Sequence, residues 1–142
     1  MRLRFGSAIL DTGARVLIPF ILIFGLYVLF HGHDSPGGGF QAGVILATAW
    51  ILLRLVRGND PGWGPEARGA LVMAISGVAI YAGTGFGALA FGGAFLDYAA
   101  FPLPLPPAGT RAAATFVVES GVGLAVAGVM LIIYEALIAP ES

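Results

Sequence analysis

The sequence HGHDSPGGGF, residues 31–40, separates two apolar runs near the start of the chain. Two histidines, an aspartate, a proline and three consecutive glycines are more than a plain hairpin between two helices requires. Glycine loses more backbone entropy on folding than other residues, so three in succession indicate that the backbone approaches another group closely here. The tract therefore predicts a specialised junction between two helices.

The rest of the chain is strongly apolar. Of 142 residues, 58% are hydrophobic and 11% are charged, whereas a soluble domain carries about 25% charged residues. The formal net charge is −1, which predicts no basic patch for nucleic acid. Cysteine is absent, which excludes disulfides and thiolate metal sites. The composition predicts a membrane protein.

Four segments have the length and apolar character of membrane spans, since crossing a bilayer takes about 20 mostly apolar residues. The spans are predicted at residues 14–30, 40–56, 69–91 and 113–138. Arg54, near the end of the second span, is expected to snorkel outward. The fold class is then all-α, a single polytopic membrane domain over residues 1–142 with four transmembrane helices.

The arginines predict how these helices are oriented. All but Arg111 lie before or at the start of the first span or flank the loop between the second and third, at positions 2, 4, 15, 54, 57 and 68. The positive-inside rule then places both termini in the cytoplasm and residues 32–39 and 92–110 outside. We expect a multi-pass protein of the cell membrane.

The third connection contains PLPLPP, residues 102–107. Four prolines in six residues forbid a helix and favour an extended path. Because the segment is apolar for an exposed loop, it is expected to lie on a partner protein or in the membrane interface.

Small residues recur at helical spacing in the last two spans. One face carries Gly121, Ala125 and Gly128, which allow a neighbouring backbone to approach closely. The third span repeats this spacing at Ala70, Ala74 and Gly77. Four helices are not expected to cover all such faces themselves, so partner subunits are predicted to do so; alternatively, glycine is simply tolerated in membrane helices.

Glu119 is the strongest single candidate for chemistry. It lies inside the apolar run 112–137, where an acid is costly unless it is paired, protonated or hydrated. It could relay protons or offer Na⁺ a carboxylate. Alternatively, it could snorkel to the surface or pair with a neighbouring subunit to fix assembly. Glu135, near the other end of the span, is expected to be an interfacial acid within reach of water.

The polar side chains of the 31–40 tract allow three interpretations. Asp34 or Ser35 could cap the second helix, with Pro36 at its first position. His33 and Asp34 could instead belong to an ion path, because histidine exchanges protons near neutral pH. His31 and His33 could also bind a metal, although two ligands in a loop make a weak site. Residues predicted as a structural motif or subunit contact are Pro36, Gly37, Gly38, Gly39, Phe40, Gly121 and Gly128.

The segment GHDSPGGGFQAG, residues 32–43, resembles the signature of the MnhB/MrpB family, whose members are the B-type components of multisubunit Na⁺/H⁺ antiporters. That signature reads approximately Gly-His-Asn-Ala-Pro-Gly-Gly-Gly-Phe-x-Gly-Gly. Residues 95–96, 102–105 and 116–128 resemble the end of the family's pattern, where an acid precedes Gly-Val. The chain departs from the pattern at Asp34, Ser35 and Ala42, and it has Glu119 where aspartate is common.

The resemblance implies a subunit that acts only within a larger secondary transporter. Partner subunits of the A, C, D, E, F and G types are implied, with Na⁺ and H⁺ as transported ions, no cofactor and no catalytic residue. Glu119, His33 and Asp34 are the ion-path candidates. The alternative is a B-type subunit of a membrane-bound hydrogenase or related redox-driven complex. A stand-alone metal-binding membrane protein is a third hypothesis, against which the small-residue faces argue.

Overall fold

The computed structural model describes residues 8–32, 37–58 and 62–138. Four helices are present: α1 Ala8–His31, α2 Gly38–Arg57, α3 Ala67–Ala90 and α4 Pro107–Ile138, with a short 3₁₀ turn at Tyr98–Ala100 between α3 and α4. Each helix is long and apolar enough to cross a membrane. The predicted all-α class with four spans is therefore confirmed.

The start of α4 differs from the prediction. The helix begins at Pro107, not near residue 113, so the last of the clustered prolines is helical. Proline lacks the backbone N–H that the first turn of a helix leaves without an intrahelical partner, and its fixed φ suits that position. Thr110 already donates its N–H to the Pro106 carbonyl at 3.0 Å.

The helices pack in a spatial order that differs from the chain order. α1 packs on α2, α2 on α4 and α4 on α3, while α1 reaches α4 only slightly. Successive helices run in opposite directions, so α2 and α4 are parallel to each other. The four helices therefore form a row, α1–α2–α4–α3, rather than a closed square.

The seam between α3 and α4 is built from the small residues. A Cβ on Gly77 would lie 2.4 Å from the Ala125 nitrogen, and one on Gly128 would lie 2.5 Å from the Ala70 oxygen. Gly121 is likewise buried against Gly77. The antiparallel face of α3 covers both Gly121 and Gly128, so these two glycines pack within the chain.

The parallel seam between α2 and α4 has a constant register over its glycine half. Gly39 contacts the backbone of Glu119, and Gly43 contacts that of Gly123. We call this half of the molecule, where α1 ends and α2 begins, the Glu119 end. The opposite half is the Arg54 end.

At the Arg54 end, charged side chains join the helices. Arg54 is only 6% exposed and donates hydrogen bonds to the Glu135 carboxylate and to the Pro65 carbonyl. It does not snorkel, because these two acceptors satisfy it inside the bundle. Arg57 donates to Asp11 at 3.0 Å and thereby links α2 to α1.

The connection between α3 and α4 folds back onto α3. The Phe95 ring lies on Gly85, where a Cβ would come within 2.2 Å of it, and the Phe101 ring lies on Gly87. Leu103 and Leu105 remain 44% and 49% exposed. Phe95 and Phe101 thus pack on their own chain, but Phe95 is still 45% exposed, so it remains available to lipid or a partner together with the two leucines.

Candidate functional site

The backbone around Glu119 is held directly against the first turn of α2. A Cβ on Gly39 would lie 2.2 Å from the backbone oxygen of Glu119 and 2.8 Å from its Cα. Both are main-chain atoms, which cannot turn aside as a side chain can. Only glycine at position 39 allows α2 to approach α4 this closely.

The Glu119 side chain reaches the crossing of α1 and α2. Its Oε2 atom is buried, and a Cβ on Gly32 would lie 2.7 Å from it and 2.7 Å from the Gly38 Cα. The carboxylate thus lies where α1 ends, α2 begins and α4 passes. The first N–H groups of α2 have no partner within that helix, and this positive helix end favours a nearby carboxylate.

The depth of Glu119 follows from the helix bounds. α4 has 32 residues, which is about 48 Å and more than the hydrocarbon thickness of about 30 Å. Glu119 lies about three turns, or about 18 Å, from the start of α4. Glu119 is level with the start of α2, and the 20 residues of α2 are about as long as the hydrocarbon layer is thick. Glu119 therefore lies near one surface of that layer.

Aromatic side chains surround this junction. The rings of Phe30 and Phe116 stack with centroids 5.5 Å apart, which joins α1 to α4 beside Glu119. Tyr98, in the 3₁₀ turn, has a raised pKa because its hydroxyl is partly buried and because Tyr81 and the Glu119 charge lie nearby. The sequence patterns contained no signal for Tyr98, which is an isolated tyrosine in a loop.

The structure brings only part of the predicted motif to Glu119. Gly38 and Gly39 are buried at the junction, and Gly37 is the N-cap of α2 with φ 89°. Since α2 begins at Gly38, the prediction of Pro36 as its first residue is wrong. Phe40 points away and is 56% exposed. His33, Asp34 and Pro36 themselves lie outside the described residues.

His31 is held by its own helix. Its Nδ1 donates to the Tyr27 carbonyl at 3.0 Å, and its ring stacks on Tyr27 with centroids 4.2 Å apart. In residues 8–32, 37–58 and 62–138, no three His, Asp or Glu side chains converge in a way that could hold a metal ion. The roles of His33 and Asp34 stay predictions.

The arrangement places a single carboxyl group among backbone atoms. A carboxylate with one oxygen buried among backbone atoms can take up a proton or coordinate Na⁺, and such acids within spans mark ion routes. Close glycine contacts leave no room for a larger substrate at the Gly32–Gly38 crossing.

The chain is similar to known proteins over most of its length. A family model described as a domain related to the MnhB subunit of Na⁺/H⁺ antiporters matches residues 9–132. The B-type subunit of the Na⁺/H⁺ antiporter of Bacillus subtilis (strain 168) is 30% identical over 130 residues, which are 91% of each chain. A Staphylococcus haemolyticus (strain JCSC1435) protein named "Putative antiporter subunit mnhB2" is 32% identical over 132 residues, covering 92% of this chain and 94% of the relative.

No solved structure matches the chain significantly. The family match nevertheless extends over most of α1 to α4 and includes both halves of the Glu119 junction. The chain belongs to the family of MnhB-related subunits of Na⁺/H⁺ antiporters.

Proposed function

We propose that this chain is a membrane subunit of a multisubunit Na⁺/H⁺ antiporter that has no activity alone, contributes to assembly and supplies Glu119 to the ion path. The observation that carries the proposal is the buried Oε2 of Glu119 at the junction of α1, α2 and α4. The relatives named as antiporter subunits support this host over a hydrogenase-type complex.

In this proposal, Na⁺ and H⁺ are transported ions, and the subunit needs no resident cofactor. Glu119 binds one ion at a time, because a single carboxylate offers one charge to neutralise. His33 and Asp34 adjoin the described end of α1 in sequence and would extend the route toward the membrane surface. Histidine suits that place because it exchanges protons near neutral pH.

The surfaces left open in the row of helices are where partner subunits would bind. α1 is the least covered helix, and its Phe20 and Ile23 are 67% and 65% exposed. Exposed Phe40 lies beside the glycine junction. Sister subunits of the A, C, D, E, F and G types, together with lipid, would cover these apolar faces.

Affinity purification in mild detergent tests the host complex. We expect the tagged chain to bring down large antiporter subunits, because α1 is little covered within the chain and offers a face on which partner helices can pack. Mass spectrometry of the eluate is the measurement. Recovery of iron–sulfur or nickel–iron subunits in stoichiometric amounts would instead indicate the redox-driven host.

The arginines support an orientation in which both termini and the α2–α3 connection are cytoplasmic. Arg15, Arg54, Arg57 and Arg68 lie at the Arg54 end, and Arg111 is the described arginine at the other end. This asymmetry follows the positive-inside rule. The junction around Glu119 would then face the outside, and the host membrane would be the plasma membrane.

Single cysteines test this orientation, since the chain has none of its own. Trp63→Cys, in the α2–α3 connection, and Leu103→Cys, in the α3–α4 connection, replace side chains that are 46% and 44% exposed. In right-side-out vesicles, a membrane-impermeant maleimide should label Leu103→Cys at once and Trp63→Cys only after permeabilisation. The reverse pattern would refute the orientation.

A further inference from the structure

We infer that the partly buried Arg54–Glu135 ion pair sets the axial register of α2 against α4 and thereby positions Glu119, at the far end of the same seam, against Gly32 and Gly39. This inference rests on the proposed role of Glu119 and deepens it. Arg54 is a positioning residue, because it lies at the opposite end of the seam from Glu119.

The Arg54–Glu135 pair lies where α2, α4 and the start of α3 meet. Arg54 lies on α2, while Glu135 is on the face of α4 that carries Gly121 and Gly128 at seven-residue intervals and packs on α3. Arg54 bonds both to Glu135 and to the Pro65 carbonyl, just before α3 begins. One guanidinium therefore joins α2, α4 and the start of α3.

Away from this pair, the seam between α2 and α4 is built on glycines. In the Glu119 half, α2 and α4 meet through backbone contacts at Gly39, Gly43 and Gly123, and the Val126 side chain also lies against Gly43. Glycine has no side chain to interlock with a neighbour, and Ala47, one turn further along α2, would offer Val126 a similarly small surface, so these contacts fix the axial register weakly. Among the described residues, Arg54 and Glu135 form the ion pair that spans α2 and α4.

The position of Glu119 is sensitive to axial sliding of α2 against α4. Glu119 and Glu135 are on one unbroken helix, about 24 Å apart along its axis. A slide of one helical turn, about 5.4 Å, would bring Gly43 opposite Glu119 in one direction, and Gly43 has no Cβ to forbid it. The slide would carry the Glu119 carboxyl group about 5.4 Å away from Gly38, so the junction depends on the register.

The test combines a geometric and a kinetic measurement on the reconstituted complex with cysteine-free partner subunits. Spin labels at Thr48→Cys and Val117→Cys, on α2 and α4 away from the Arg54–Glu135 pair, report the diagonal distance across the seam. The double variant Arg54→Met with Glu135→Met removes both charges together, which a buried pair tolerates better than the loss of one partner.

We expect this variant to assemble, with a shifted or broadened distance distribution and a several-fold higher KM for Na⁺ at nearly unchanged kcat. Glu135→Gln, which keeps shape and an acceptor, should show a smaller change in the same direction. As a matched control, Asp11→Asn with Arg57→Gln breaks an ion pair at the same end that joins α1 to α2, and it should leave both readouts unchanged.

Native distances in both Arg54–Glu135 variants would overturn the register inference, whatever the transport rate. A shifted distance with a native KM would overturn the positioning of Glu119. The distance readout does not depend on whether Glu119 carries the ion. Glu119→Gln decides that point separately, so a failure of the positioning is distinguished from a failure of the proposed function.

Discussion

Glu119→Gln is expected to reduce Na⁺/H⁺ exchange to background while the complex still assembles. Glutamine keeps the size of the side chain and its place at the Gly32–Gly38 crossing, where Oε2 is buried. It removes the group that can hold a proton or a cation within the span. The measurement is Na⁺-driven pH change in inside-out vesicles, with complex recovery followed by gel filtration.

Glu66→Gln is the matched control, because Glu66 is an exposed acid at the N-cap of α3 and makes no side-chain cap bond there. It should exchange at the native rate. Glu119→Asp keeps the charge and should retain part of the activity. Native exchange by Glu119→Gln in an intact complex would show that Glu119 is an assembly contact only.

Gly39→Ala is expected to have the largest effect on the stability of the bundle. The added Cβ would lie 2.2 Å from a main-chain oxygen of Glu119, so α2 and α4 must separate. Overpacking of this kind costs about 1–3 kcal/mol or more. We expect a lower thermal midpoint in detergent and reduced recovery of the complex, measured by fluorescence-detected gel filtration after heating.

Two further glycine variants separate the effect of close packing from an effect on Glu119 itself. Gly77→Ala makes an equally close main-chain contact, 2.4 Å from Ala125 and Gly121 atoms in the α3–α4 seam, and should destabilise without touching Glu119. Gly13→Ala meets nothing within 4 Å and should be neutral or stabilising by about 0.5–1 kcal/mol. A midpoint for Gly39→Ala equal to that of Gly13→Ala would contradict the close seam.

The contacts also explain which part of the site was predictable. The three-glycine tract indicated a close backbone approach, and the acid inside an apolar run marked Glu119. The contact between Gly39 and Glu119 was not predictable, because it arises only from the packing of α2 on α4. Tyr98 was missed for the same reason, since its nearness to Glu119 arises from the folded connection and not from any local pattern.

The amino-acid sequence by itself determined the number and type of the elements, because twenty-residue apolar runs in a chain with 11% charged residues can satisfy their backbone in a membrane only as helices. It also determined the family, through the motif at residues 32–43. The neighbours of each helix face became visible only in the folded chain. It covered Gly121 and Gly128 with α3, buried Arg54 against Glu135 81 positions away, and started α4 at Pro107. Helical periodicity shows which face of a helix is small or charged, but the partner of that face depends on topology, and here the order α1–α2–α4–α3 places the parallel helices α2 and α4 side by side.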